Sequence, residues 1–306
     1  MEDTIFFKQA ELLLRILPLI GKEEVFALKG GTAINFFLQD LPRLSVDIDL
    51  AYVPVNDRGT ALEGIHNCLL RISDDIQKRI PGTEIVLKRI HGTDQLNGMV
   101  VGGGGGVTVK IEPNLVIRGT VYPPEVRELS SKAQDLFEMS LKARVLSLPD
   151  LYAGKICAAL DRQHPRDLFD IHLFLNNKGF TTKTRKAFIV YLISHPRPMV
   201  EILNPQTKDM RDVYEKEFRG MINGNIPVEV LENSRDDLIR KIREELSDDE
   251  RKFILSVKET QPDWKLLGLE GVNELPAIRW KLMNLSRMDS GKHKAAVKKL
   301  RDYLGV

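Results

Sequence analysis

The sequence is short of cysteine and of long apolar runs, and each shortage removes a class of protein. Two cysteines in 306 residues, Cys68 and Cys157, lie in apolar surroundings without CxxC spacing or a paired histidine. They cannot build a disulfide framework or a cysteine-rich metal site and read as free core thiols. No apolar run approaches the roughly 18 residues that span a bilayer, and no opening stretch joins a basic segment, an apolar core and a small-residue cleavage site. The expectation is a cytoplasmic protein with no membrane contact. Neither sign of charge prevails, with 45 Lys and Arg against 43 Asp and Glu, so bulk charge does not make the chain a nucleic-acid binder. A P-loop, a GxGxxG turn opening a βαβ unit, a serine nucleophile elbow and an HxxxH pair are all missing. His66, His91, His164 and His172 therefore read as surface or helix-packing residues.

What is present is enough apolar material, 42% of the chain, to bury a substantial core in about two domains. Residues 4–20 carry apolar side chains at helical spacing, Gly21 and Lys22 break the pattern, and VFAL at 25–28 reads as a short buried strand. A glycine pair, a helical TAINFFLQ, a break at Pro42 and the alternating VDIDLAYV at 46–53 follow. A helix fits 60–80, and EIVLKRI (84–90), GMVV (98–101), VTVKIE (107–112) and LVIRGTV (115–121) have strand character. The five glycines 102–106 read as a flexible hairpin connection, because strand resumes directly after them. Past about residue 148 the pattern turns helical, over 149–162, 166–176, 183–194, 208–222, 235–245, 248–258 and 290–303. The expected architecture is α+β: a mixed-sheet domain over 1–147 and a helical domain over 148–306.

Chemistry concentrates first at Asp47-Ile48-Asp49. Side chains alternate along a strand, so both carboxylates leave one face while Val46, Ile48 and Leu50 enter the core. Two neighbouring carboxylates repel unless a cation or a proton sits between them, which makes the pair a natural seat for Mg²⁺, with Mn²⁺ as the alternative. Upstream, Lys29-Gly30-Gly31-Thr32 closes a strand and opens a helix, where backbone N–H groups and the helix dipole favour phosphate and glycine permits close approach. Glu112, on a strand face with Lys110, is a candidate third metal carboxylate. In the helical half, Lys155 and Arg162 share one stripe and Asp167 and Asp170 share one face. Lys155 suits a phosphate, and the Asp and Arg residues suit its orientation or that of a nucleotide; a salt-bridged surface helix pair is the plain alternative. Arg287, Lys292, His293, Lys294, Lys298, Lys299 and Arg301 form a basic run, a candidate for RNA phosphate contact or simply a solvated helix face.

Taken in order, KGGTAINFFL, RLSVDIDL, VKIE and KICAALDRQHPRDLFDI resemble the AbiEii family of abortive-infection toxin nucleotidyltransferases, relatives of the MenT toxins within the polymerase β superfold. The resemblance covers roughly residues 25–176. It implies a small mixed sheet followed by a helical domain that completes the cleft, and transfer of a nucleoside monophosphate from an NTP to a hydroxyl, on an RNA such as a tRNA 3′ end. A separately encoded antitoxin is implied as partner. Position by position it implies Gly30, Gly31 and Thr32, with Lys29, on the nucleotide; Asp47 and Asp49 on Mg²⁺; Lys155 on phosphate; and Asp170, or Asp167, as the catalytic helical aspartate. Here Gly30-Gly31 stands where the superfold has glycine-serine. A DxD glycosyltransferase and a catalytically inactive nucleotide- or RNA-binding module are the rival readings.

Overall fold

Alternation of apolar and charged residues along the central strands decides which face of the sheet becomes core and which is left for chemistry. The computed structural model describes residues 4–177, 179–222 and 224–306. The chain divides into two compact units: one runs to Ser147 and takes in Glu217–Asn225, the other comprises Leu148–Lys216 and Ile226–Val306.

The first unit begins with α1 (Ile5–Ile20), whose first turn is capped by the Thr4 side chain accepting from the Phe7 N–H. Strand β1 (Phe26–Lys29) leads into α2 (Gly30–Ala33), which runs on without a break as a wider turn over Ile34–Leu38. There Gln39 N–H reaches back five residues to the Ile34 carbonyl, a π-type bond of the kind often found beside functional sites. Next come β2 (Asp47–Tyr52), α3 (Arg58–Arg79), β3 (Glu84–Arg89), β4 (Leu96–Gly102), β5 (Thr108–Asn114), β6 (Glu125–Glu128), α4 (Ser131–Phe137) and β7 (Lys142–Val145).

Among the described residues these strands form one seven-stranded sheet in the order β3-β4-β5-β2-β1-β7-β6. The β2–β5 and β1–β7 pairs are parallel, and the other neighbours are antiparallel. The centre of the sheet thus joins strands that are far apart along the chain. Ile48, Leu50, Met99, Val101, Val109 and Ile111 are buried on one face, and α1 and α3 pack against β5 and β4. At about 25 cal/mol per Å² of apolar surface, this face supplies much of the unit's stability.

Two stretches depart from the sequence reading. LVIRGTV over 115–121 is not a strand: Asn114 Oδ1 accepts from the N–H groups of both Val116 and Ile117 at 2.9 Å, turning the chain instead of letting it pair. Within 208–222, only α9 (Arg211–Glu217) is α-helical. The chain then returns to the first unit, where Met221 O accepts from Leu44 N–H at 2.8 Å and Ile222 bridges Arg43.

The second unit is helical: α5 (Leu148–Arg162), α6 (Pro165–Asn177), α7 (Thr182–Ser194), α8 (Met199–Leu203), α9, α10 (Val228–Glu245), α11 (Asp248–Lys258), α12 (Trp264–Leu267), α13 (Pro276–Ser286) and α14 (Ser290–Leu304). Ser247 and Glu250 close a reciprocal capping box at the start of α11. Among the described residues no helix is long and apolar enough to cross a membrane.

Candidate active site

The residues singled out in the sequence gather in two clusters, one in each unit. In the first, β2 shows the alternation that a DxD strand requires: Asp47 and Asp49 are half-buried while Ile48 and Leu50 are fully inside. Register places Lys29 opposite Asp49 on one side and Glu112 opposite Asp49 on the other, with Lys110 opposite Asp47. Lys29, Asp47, Asp49, Lys110 and Glu112 therefore leave the same face of the sheet.

The glycine pair is fitted to this face by contact. Gly30 has φ +73°, in the left-handed region, and a Cβ there would lie 2.3 Å from Asp49 Oδ2. A Cβ on Gly31 would lie 2.7 Å from Arg43 Nη2 and 3.0 Å from Ser45 Oγ. The Asp49 carboxylate thus rests over one glycine and the Arg43 guanidinium against the next. Thr32, expected on phosphate, is buried; its hydroxyl donates to the Asp47 carbonyl at 2.6 Å, with Ser45 Oγ at 3.0 Å. It ties the glycine turn to the acidic strand. Asn35 Nδ2 donates to the Gly31 carbonyl at 2.9 Å and braces the turn from below. Lys29, the residue before the helix, adds no side-chain cap.

Gly30→Ala is expected to cost about 1–2 kcal/mol in backbone strain and to push the Asp49 carboxylate aside. Transfer activity should fall further than chemical denaturation shows stability to fall. Equal, small losses in both would mean that the close approach is only a packing detail.

Asp47 and Asp49 fit a Mg²⁺ ion, which commonly takes one or two protein carboxylates and fills its remaining positions with water and phosphate oxygens. Glu112 sits beside Asp49 in register, but its Oε1 lies 2.9 Å from Lys88 Nζ, reached across the side-chain-free Gly98. Among the described residues no three His, Cys, Asp or Glu gather into a ready-made cage. That leaves the acidic pair as the candidate seat.

The second cluster joins α5 to α6. Lys155 Nζ lies 2.8 Å from Asp167 Oδ1 and 3.0 Å from Asp170 Oδ2, and Arg162 Nη2 donates to Asp167 Oδ1 at 3.0 Å. The Lys155 side chain is 5% exposed, Asp167 1% and Asp170 0%, against 59% for Arg162. This excludes the surface-helix alternative for the lysine and both aspartates. Burial alone would raise the Asp167 carboxyl, but Lys155 and Arg162 outweigh it and hold the group well below the usual carboxylate range. Nearby, Asp150 is fully buried and accepts from Tyr191 Oη at 3.2 Å. Burial and that carboxylate hold the tyrosine well above its ordinary value.

Arg43, Ser45, Lys88 and Asp150 were not legible as site residues. Arg43 and Lys88 look like ordinary surface cations in sequence; the fold sets Arg43 against Gly31, and the consecutive pairing of β3, β4 and β5 carries Lys88 to Glu112. The one available signal for Ser45 was its position two residues before Asp47, on the same strand period.

A mixed sheet whose central strand presents two carboxylates beside a glycine turn that opens a helix is an arrangement suited to the nucleotidyltransferase class. The model of the family described as nucleotidyl transferase AbiEii toxin, type IV toxin–antitoxin system, matches residues 11–284, and the chain belongs to this family. It is accordingly a nucleotidyltransferase of the toxin type, whose family implies a nucleotide substrate and an antitoxin partner. Among solved structures it is similar to MenT4, the nucleotidyltransferase toxin Rv2826c from Mycobacterium tuberculosis H37Rv. The TM-score is 0.61 at 14% identity, over 92% of this chain and 93% of that one. That likeness is one of fold. No curated protein matches the chain.

Proposed function

We propose that the protein joins the nucleoside monophosphate of an NTP to a hydroxyl group of an RNA, with a tRNA 3′ end as the expected acceptor, in a Mg²⁺-dependent reaction. The observation that supports this most is the placement of Asp47 and Asp49 on one sheet face, with Lys29 in register and Gly30-Gly31 packed against them. In the reaction the acceptor oxygen bonds to the α-phosphorus, the bond from that phosphorus to the α,β-bridging oxygen breaks, pyrophosphate leaves, and the hydroxyl gives up its proton.

Bound Mg²⁺ would neutralise phosphate charge that builds up as the bridging bond breaks. Asp47 and Asp49 would hold the cation. Lys29 faces the phosphates as a point charge, and the N–H groups of the glycine turn add donors for phosphate oxygens. Lys155 and Asp170 take the phosphate-contacting and catalytic roles that the family resemblance assigns them, with Arg162 and Asp167 orienting the lysine. The buried carboxylate pair holds the ammonium at a fixed place without leaving its charge unpaired.

The test is incubation with each α-labelled NTP, Mg²⁺ and total RNA, followed by mapping of the labelled end. Label joined to RNA at a terminal hydroxyl is the expected result. Label on no RNA with any of the four NTPs, or protection from heat by UDP-sugars and not by NTPs, would sink the reading.

A further inference from the structure

The charge of this protein is unevenly distributed. Residues 276–306 carry eight Lys and Arg and two Asp, whereas the rest of the chain carries 37 basic and 41 acidic residues. Three of those eight cations are occupied: Arg279 pairs with Glu274, Arg301 with Glu259, and buried Lys281 donates to the His195 and Arg197 carbonyls. Arg287, Lys292, Lys294, Lys298 and Lys299 stand on the surface, and their side chains make no ion pair or hydrogen bond among the described residues. Lys294 and Lys298 are one turn apart on α14, an arrangement of like charges that destabilises a helix unless an anion lies against it.

Directly before these cations, α13 exposes what a soluble surface usually hides. Trp280 is 47% exposed and Met283 39%, and Met288, just past the end of the helix, is also 39% exposed. Trp280, Met283 and Arg287 fall at i, i+3 and i+7, so an indole, a thioether and a guanidinium line one helix face. The other tryptophan, Trp264, is packed on Phe253 with ring centroids 5.3 Å apart.

We infer that α13 and α14 form a docking surface for a single-stranded nucleic acid, whose bases stack on Trp280 and whose phosphates meet Arg287 and the α14 lysines. The combination selects this ligand. Unpaired cations alone would suit any polyanion, but an exposed flat indole on one helix face with Arg287 matches an unstacked base, which a duplex or an acidic protein does not offer. The surface uses none of the residues assigned to transfer, so the inference stands apart from that reading.

The test uses the full chain without NTP and a short fluorescein-labelled single-stranded RNA, with single-stranded DNA as a second arm to show which sugar is accepted. Binding in either arm should quench Trp280, with the quench absent in Trp280→Phe. Trp280→Ala should weaken binding roughly tenfold. Replacing Lys292, Lys294, Lys298 and Lys299 together with Gln should reduce the slope of log K against log salt by about 0.7 for every phosphate no longer neutralised. All these positions lie on the surface, so melting temperatures should match the wild type, and Asp49→Asn should bind as well as the wild type even if transfer proves absent. No binding in either arm, or an affinity and salt slope unchanged in both surface variants, would overturn the inference. So would equal competition by polyglutamate with no Trp280 quench.

Discussion

Asp49→Asn is expected to leave the fold intact and to reduce nucleotidyl transfer by on the order of a thousandfold or more. A cation seated on two carboxylates contributes several kcal/mol of charge stabilisation to a breaking phosphate bond, and each 1.36 kcal/mol is about a factor of ten in rate. Asparagine has nearly the same shape, so the contact over Gly30 persists, while the lost charge weakens the seat. The stability effect should be small. Asp47 and Asp49 leave the same face of β2, so neutralising one lessens their mutual repulsion while Lys29, opposite Asp49 in register, loses a counter-charge. Label transfer and thermal melting on the same preparation check both halves. A comparable drop in both would place Asp49 among structural residues and not at the metal.

Lys155→Ala should destabilise the second unit by about 3–5 kcal/mol, the usual cost of leaving a buried charge without its partner. Two carboxylates converge on this ammonium, both essentially inaccessible, and Asp167 retains a second cation, Arg162. Asp170→Asn in the same background should recover part of the loss, because it removes an unpaired charge without adding volume. The pH dependence follows from the lowered Asp167 carboxyl. The unfolded chain takes up that proton near pH 4, whereas the folded one resists it. The contribution is therefore fully present above that pH and lost as pH falls further. In Lys155→Ala the loss should be smaller than in the wild type and end at a higher pH, because only the folded-state value rises. Chemical denaturation across the acid range measures both, and identical acid limbs would show that Lys155 does not hold the group.

Local rules made the acidic strand legible. Period-two alternation placed Asp47 and Asp49 on one face, and β2 shows that alternation in its burial. Helical spacing likewise grouped Lys155, Arg162, Asp167 and Asp170. What spacing could not give was depth, since a charged stripe reads alike whether water or another helix covers it; the burial of Lys155 comes from the packing of α5 against α6 and α7. Register was out of reach for a similar reason. Asp49 meets Glu112 through a parallel pairing of β2 and β5, which no turn between the two fixes. Strand β6 (EVRE) and strand β7 (KARV) are too short and too charged to stand out as strands, and pairing reveals them. The opposite error at 115–121 shows one side chain overruling β-propensity: Asn114 captures two backbone N–H groups that a ladder would need.

The most direct test of the central claim is a paired count of products. With Mg²⁺, an RNA acceptor and the productive NTP, the wild type should release one pyrophosphate for each nucleotide joined to RNA, and both should cease in Asp49→Asn or on chelation of the metal. Release of inorganic phosphate or nucleoside diphosphate in place of pyrophosphate, or label transfer that continues undiminished in Asp49→Asn, would contradict it.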